Sequence, residues 1–172
     1  MTLSTACFHL SLVFVTAAGA AVVPSLSLEQ MVDRSEHIVH GRVLRSWSSW
    51  DQNRRFIWTH HQIRVTDRLA GPSSATVIAS EPGGTVDGVS MRVSGAVPFS
   101  TGEEVVLFLY RTPLGYLRAT GHAQGKYFVA GEDSTGKRVR TALTRAENPG
   151  GGGIDEFKAR VRSLVSRRKA AK

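Results

Sequence analysis

All three tryptophans of the chain lie in one short segment, SWSSWDQNRRFIWTHH, at residues 46–61. The same segment holds His60 and His61 and the adjacent Arg54 and Arg55. Imidazoles act as bases or metal ligands, whereas tryptophan and arginine are favoured anchors at binding surfaces. The segment could therefore supply a catalytic or metal centre, or a ligand-binding face.

The histidine spacing does not support a catalytic or metal centre. Adjacent His60 and His61 face opposite sides of a strand, and so do His37 and His40, which are three residues apart. The chain has no HExxH motif, cysteine pair, GxSxG elbow or P-loop, and the glycines of EPGGTVDG are typical of turns. We therefore expect no catalytic residue, no metal and no cofactor.

The stretch FIWTHHQIRVTDRLAG alternates as a β-strand that ends at Gly71-Pro72. The face with the β-branched residues is the better core face: Ile57, Thr59, His61, Ile63 and Val65. The opposite face and the turn before it give a candidate ligand-binding set: Arg54, Arg55, Phe56, Trp58, His60 and Arg64. Alternatively, Trp47, Trp50 and Trp58 pack across the hairpin and cover one end of a barrel.

Other short elements surround this strand. A capping box at Ser27 and Gln30 predicts a helix over 28–35, and an apolar stripe from Ile154 predicts a second helix. Further strands are predicted at 37–47, 76–80, 102–110, 116–121 and 125–131, with a hairpin loop around Gly136. The pattern predicts a mainly β fold, a small OB-like β-barrel of five to six strands with a short N-terminal helix and a C-terminal amphipathic basic helix.

The N-terminal segment, residues 1–20, is uncharged, apolar and ends in Ala-Gly-Ala, as a secretory signal peptide does. Cleavage there would remove Cys7, the only cysteine, and no later stretch is long and apolar enough to span a bilayer. We expect a secreted or periplasmic bacterial protein. Its predicted parts are a β-barrel domain over 21–147, a Pro/Gly linker over 148–153, and a basic amphipathic helix and tail over 154–172.

The net charge of +8 comes from the tail. Residues 158–172 hold seven basic and no acidic residues, and the rest of the chain is nearly balanced. This distribution gives a second candidate set, for contact with an anionic partner: Arg162, Arg167, Arg168 and Lys169. Alternatively, these residues form a solvated helix end whose apolar stripe docks on the barrel or on a partner.

The order of the segments resembles an uncharacterised family of secreted bacterial domains over residues 26–130. The motifs are a helix with HGRV, the strand ending in LAG, PGGTVDG, PFSTGEEVVLFL and GHAQGKYFV. The matching positions are Gly41, Val43, Thr59, Val65, Gly71, Gly83, Gly84, Gly88, Phe99, Gly102, Glu103, Phe108, Leu109, Gln124, Gly125 and Lys126. In architecture the chain is also similar to netrin and metalloprotease-inhibitor modules. The resemblance implies an OB-like barrel and secretion, and implies no activity.

These features predict a secreted or periplasmic, non-enzymatic binding module. Its partner would be a protein, a glycan or an anionic envelope surface, held by the hairpin face or the basic tail. Export argues against nucleic acid, although OB barrels bind single strands through similar faces. The alternative is a hydrolase-type enzyme or a peptidase-associated domain, which would gather Asp, Glu or His from separate strands in a concave site.

Overall fold

The computed structural model describes residues 24–133, 136–141 and 153–171. The predicted signal peptide with Cys7, and all but the last residue of the predicted linker, lie outside the described residues. The elements are α1 (Leu28–Arg34), β1 (His37–Trp50), β2 (Ile57–Ala70), β3 (Thr76–Pro82), β4 (Gly84–Val86), β5 (Val89–Met91), β6 (Glu104–Arg111), β7 (Leu117–Ala119), β8 (Lys126–Asp133), β9 (Gly136–Thr141) and α2 (Ile154–Ala170), with a short 3-10 helix at His122–Gly125.

Five of the strands close a ring. β1 pairs antiparallel with both β2 and β6, β2 pairs antiparallel with β3, and β7 pairs antiparallel with β6. β3 and β7 meet in parallel at Ala79 and Leu117, which completes the circuit. β8 and β9 extend the sheet from β6. The predicted mainly β, OB-like barrel with one helix before and one after it is confirmed.

The apolar run of β6 is buried because both of its faces are covered. One face points into the barrel, where Val105, Leu107 and Leu109 pack with residues of β1, β2 and β3. The other face, with Val106 and Phe108, lies under the two helices. This double burial explains the lack of alternation in VVLFL.

The two helices cover one outer side of the barrel. α1 begins at the predicted capping box, since Ser27 Oγ accepts the Gln30 N–H at 3.2 Å and the Gln30 side chain accepts the Ser27 N–H at 2.9 Å. The predicted stripe of α2 docks on α1 and on the barrel through Ile154, Phe157, Val161, Leu164 and Val165. Neither helix in the described part of the chain is long and apolar enough to cross a membrane.

Gly41 permits the close approach of β1 and β2 that the small ring needs. The pairing of the two strands shifts register between His40 and Gly41. A Cβ atom at Gly41 would lie 2.2 Å from the carbonyl oxygen of Arg64, well inside van der Waals contact. Any other residue there would therefore push the two backbones apart.

Candidate functional site

Trp58 and His60, at the centre of the predicted ligand-binding face, are covered by the protein's own aromatic side chains. The Tyr116 ring lies 4.7 Å from the Trp58 ring and 5.6 Å from the His60 ring, centroid to centroid. Trp47, which pairs with His60 across the hairpin, lies 5.4 Å from its imidazole. Both central residues are only 8% exposed. They are therefore packed within the protein and do not project as surface anchors.

Two serine hydroxyls hold the His60 imidazole on this face. Its Nε2 lies 2.9 Å from Ser49 Oγ, and its Nδ1 lies 2.8 Å from Ser80 Oγ. Burial lowers the pKa of His60 because desolvation disfavours the imidazolium. Both ring nitrogens already have partners, so His60 serves as a hydrogen-bonded packing residue.

The other predicted ligand-binding residues lie elsewhere on the surface. At the tip of the β1–β2 hairpin, the Asp51 carboxylate accepts the backbone N–H of Arg55 at 2.7 Å and of Phe56 at 3.2 Å. Phe56 is 54% exposed there, next to an exposed Arg54. Arg64 is exposed further along β2. The structure thus divides the set into a buried pair, an exposed hairpin tip and a separate arginine.

A groove of about 560 Å³ runs along the same outer face, and His60 of the buried pair forms part of its lining. The partly exposed rings of Trp47 and Tyr116 line it, together with Ile78, which is 44% exposed. Ser74, just before β3, and Thr76, its first residue, add hydroxyl groups. The groove therefore combines aromatic and hydroxyl surfaces, as ligand-binding clefts often do.

Sequence reasoning missed most of this groove. The alternation of β3 could have placed Thr76, Ile78 and Ser80 on one face, because strand residues two apart share a side. Tyr116 arrives through the parallel pairing of β3 with β7, a contact between distant parts of the chain. Local patterns carry no signal for such a pairing.

One end of the groove is held by an ion pair. The Arg111 guanidinium donates three hydrogen bonds of 2.9–3.2 Å to the Glu36 carboxylate. These bonds lower the pKa of Glu36. Arg111 also donates to the Gly115 carbonyl at 3.1 Å, which fixes the turn that carries Tyr116. Arg111 therefore serves mainly to fix the turn at this end of the groove, and its positive charge is compensated by Glu36.

A second cleft, of about 480 Å³, opens on the inner face of the same strands, under the segment 91–99. His61 from β2 and Glu81 from β3 both line it. Because Thr59 pairs with Glu81, His61 and Glu81 are diagonal neighbours on one face of the sheet. Within the described ranges, no three His, Cys, Asp or Glu side chains converge as metal ligands.

The polarity of this inner cleft is unusual for a barrel interior. His61 Nδ1 lies 2.7 Å from Ser46 Oγ, and Nε2 has no hydrogen-bond partner among the described residues. Burial, with smaller effects of Lys126 and His60, lowers the pKa of His61 to about 4. Burial raises the pKa of Glu81, although Arg118 donates to its carboxylate at 3.2 Å. The cleft thus offers a neutral imidazole beside a buried carboxyl group.

No known family model matches this chain, and no curated protein matches it. The resemblance to secreted bacterial domains therefore stays a prediction, as do the residues' roles within it. Several of its motif positions nevertheless meet in space. Lys126 of QGK donates a 2.7 Å hydrogen bond to Glu103 of GEE, and Gln124 hydrogen-bonds to both the carbonyl of Pro24 and the N–H of Leu26. These contacts link β8 to the start of β6, and the 3-10 helix to the segment before α1.

The free energy of unfolding is expected to fall as the pH drops from about 6.5 to about 4. Folded His61 stays neutral down to a pKa of about 4, whereas in the unfolded chain it titrates near 6.5, so the unfolded state binds protons first. The loss should be about 2–3 kcal/mol. The His61→Asn variant keeps a polar group toward Ser46 and should flatten the profile. Urea unfolding across this pH range would measure both, and an equally steep profile in the variant would contradict the assignment.

Two arginines of the predicted anionic-contact set form hydrogen bonds with other groups of the same chain. Arg162 donates to both carboxylate oxygens of Asp67, at 2.8 and 2.6 Å, and so ties α2 to β2. Arg168 donates to the carbonyls of Val32 and Ser35 at the end of α1, the latter at 2.9 Å. Both arginines therefore fix α2 to the rest of the fold.

The other two members, Arg167 and Lys169, are exposed in the last turn of α2. They stay candidates for contact with an anionic partner. Deleting residues 158–172 would not test that contact cleanly, because the deletion would also remove Val161, Leu164 and Val165 from the core. Point substitutions of the exposed residues are the appropriate test.

Arg168→Ala is expected to lower the free energy of unfolding by about 1–3 kcal/mol, because the carbonyls at the end of α1 lose their donor. Arg167→Ala removes the same charge one residue earlier, from an exposed position, and should change stability by less than about 0.5 kcal/mol. Urea denaturation of the two variants would measure the difference. Equal effects would show that Arg168 acts only as a surface charge.

Proposed function

We propose that this protein is a binding module, exported from the cytoplasm, whose ligand lies in the outer groove. The observation that carries the proposal is the pair of partly exposed rings, Trp47 and Tyr116, along a groove of about 560 Å³. Aromatic side chains supply large, rigid contact surfaces at low entropic cost. The uncharged, apolar segment at residues 1–20 supports export.

The groove suits a neutral glycan. The apolar faces of sugar rings stack on aromatic side chains, and sugar hydroxyls exchange hydrogen bonds with protein hydroxyls. The hydroxyls of Thr76 and Tyr116 have no partner in the described part of the chain. Arg111, which lines the groove, is already paired with Glu36, and the exposed Arg45 guanidinium lies 4.9 Å from the Trp47 ring centroid.

The test is titration with a neutral oligosaccharide, chitohexaose, followed by tryptophan fluorescence and by NMR chemical shifts. We expect saturable binding that is lost or weakened at least ~10-fold in Trp47→Ala and in Tyr116→Ala, because each removes a stacking surface. Phe56→Ala is the matched control, since this exposed aromatic lies at the hairpin tip outside the groove. Loss of binding in the control alone would move the site to the tip, and no binding by the wild type would reject the glycan.

The inner cleft favours a second candidate function, general acid–base hydrolysis. Its basis is His61, with a free Nε2, diagonal to a Glu81 whose pKa is raised by burial. These are the groups that proton transfer requires. p-Nitrophenyl acetate and p-nitrophenyl glycosides would test it against His61→Asn and Glu81→Gln. Equal rates in the wild type and both variants would remove this candidate.

A further inference from the structure

One edge of β1 lacks a strand partner among the described residues over its second half. β6 pairs with β1 from His37 to Arg42, and Val43 adds backbone bonds to Gly102 and Glu103. Beyond this point β1 continues as an arm paired with β2 alone, from Arg45 to Trp50. In the part of the chain that the structure describes, the opposite edge of this arm is therefore open to strand pairing. β4 packs against the arm at Ser48, where a Cβ atom at Gly84 would lie 2.4 Å from Ser48 Oγ.

The strand pairing shows which backbone groups are free at this edge. The Val65 N–H donates to the Ala75 carbonyl, on the side of β3. Because the backbone groups of successive strand residues point to opposite edges, those of odd-numbered β2 residues point toward β3 and those of even-numbered residues point toward β1. The even-numbered residues of β2 stand opposite odd-numbered residues of the arm. The N–H and C=O groups that point to the open edge are therefore those of Ser46, Ser48 and Trp50.

This edge carries little of the protection that isolated proteins use. Natural edge strands are blunted by proline, by charge or by bulges. A bulge lies at the base of the arm, between Val43 and Arg45. The residues beyond it, 46–50, have the sequence SWSSW, with neither a proline nor a charged side chain. Such an edge favours pairing with another strand.

We propose that two copies of this chain pair antiparallel along this edge, with Ser48 on the two-fold axis. In this register the backbone N–H and C=O groups of all three residues find hydrogen-bond partners, because Ser48 faces Ser48 of the second copy and Ser46 faces Trp50. It also places Arg45 of each copy opposite Asp51 of the other. Arg45 is exposed and donates its Nε to Gln62, whereas Asp51 is half-buried and accepts the Arg55 and Phe56 N–H groups through Oδ1. The terminal guanidinium nitrogens of Arg45 and Oδ2 of Asp51 are the atoms for the contact, and opposite charges at facing positions stabilise a strand pair.

Other registers fit the edge less well. Centring the axis on Trp47 would pair Ser46 with Ser48 but leave Trp50 opposite the bulge. Centring it on Ser46 would leave Trp50 beyond the end of the partner's arm. The charge complementarity and the full use of the edge both select the Ser48 register. The dimer goes beyond the proposed function and does not depend on it, although it would set the two grooves side by side at Trp47.

Sedimentation velocity over a concentration series tests the dimer. We expect a reversible monomer–dimer equilibrium in the wild type and in Ser48→Ala, which keeps the backbone N–H. Ser48→Pro removes that N–H from each copy, and so removes both hydrogen bonds at the axis. Its dimer dissociation constant should rise at least ~10-fold above that of Ser48→Ala. A wild type that stays monomeric at every concentration, or equal constants for the two variants, would overturn the proposal.

A charge reversal at the surface gives an independent readout if the proline variant does not fold. Arg45→Glu would face Asp51 with a like charge and should weaken the dimer, increasingly so at low salt. Arg64→Glu makes the same change at an exposed position away from the edge and should leave the dimer intact. Equal weakening by both variants would show a general charge effect and would reject the edge register.

Discussion

Replacing Lys126 by methionine is expected to lower the free energy of unfolding by about 3–5 kcal/mol. Lys126 is 1% exposed, and its ammonium donates to the Glu103 carboxylate and to the Pro98 carbonyl. It also lies 4.2 Å from the Phe99 ring centroid and 4.4 Å from that of Phe128. Methionine would keep most of the stem's volume, but it would leave a largely buried carboxylate and a carbonyl without their donor.

A double variant separates the charge from the packing. Glu103→Gln removes the carboxylate that Lys126→Met leaves uncompensated, so the combined variant should be more stable than Lys126→Met alone. Chemical denaturation of the wild type, both single variants and the double variant completes the cycle. A loss of under about 1 kcal/mol in Lys126→Met would mean that the pair contributes no more than an exposed salt bridge does.

Replacing Phe157 by alanine is expected to lower the free energy of unfolding by about 3–5 kcal/mol. The Phe157 ring lies 4.8 Å from Tyr127 and 6.3 Å from Phe108, so it joins α2 to β8 and β6. Truncation would leave a cavity between the helix and the barrel. One cooperative unfolding transition at lower denaturant concentration is the expected signal.

The matched control for this helix is Ser163→Ala, on its exposed side. It should change stability by less than about 0.5 kcal/mol, because alanine favours a helix and no contact is lost. If Phe157→Ala left the barrel's stability unchanged, α2 would be a detachable tail rather than part of the core. A separate early transition would point the same way.

Periodicity was enough to predict most of the elements. The alternation of β2 placed Ile63 and Val65 toward the barrel interior, where they are found, because strand residues two apart share a face. The 3.6-residue spacing in α2 identified the stripe that now packs against the barrel. Both signals are local, and burial of one face is their physical cause.

The burial of the side chains on the outer face of β2 could not be predicted in the same way. The alternation of β2 correctly placed Trp58 and His60 on the face opposite the core, but their exposure depends on which other residues cover them. Tyr116 covers both, and it comes from a turn far along the chain that Arg111 and Gly115 hold in place. The same limit applies to Arg162 and Arg168, whose partners lie on β2 and at the end of α1.

The sequence by itself determined the class of this protein: short amphipathic strands, two capped or amphipathic helices, and an uncharged apolar N-terminal segment. Each of these depends on neighbours within a few residues, where side-chain periodicity acts directly. Only the tertiary structure decided which aromatic rings are buried, which face carries a groove, and that His61 and Glu81 share a cleft. Those outcomes depend on long-range strand pairing, above all the parallel contact of β3 with β7, which brings Tyr116 over Trp58.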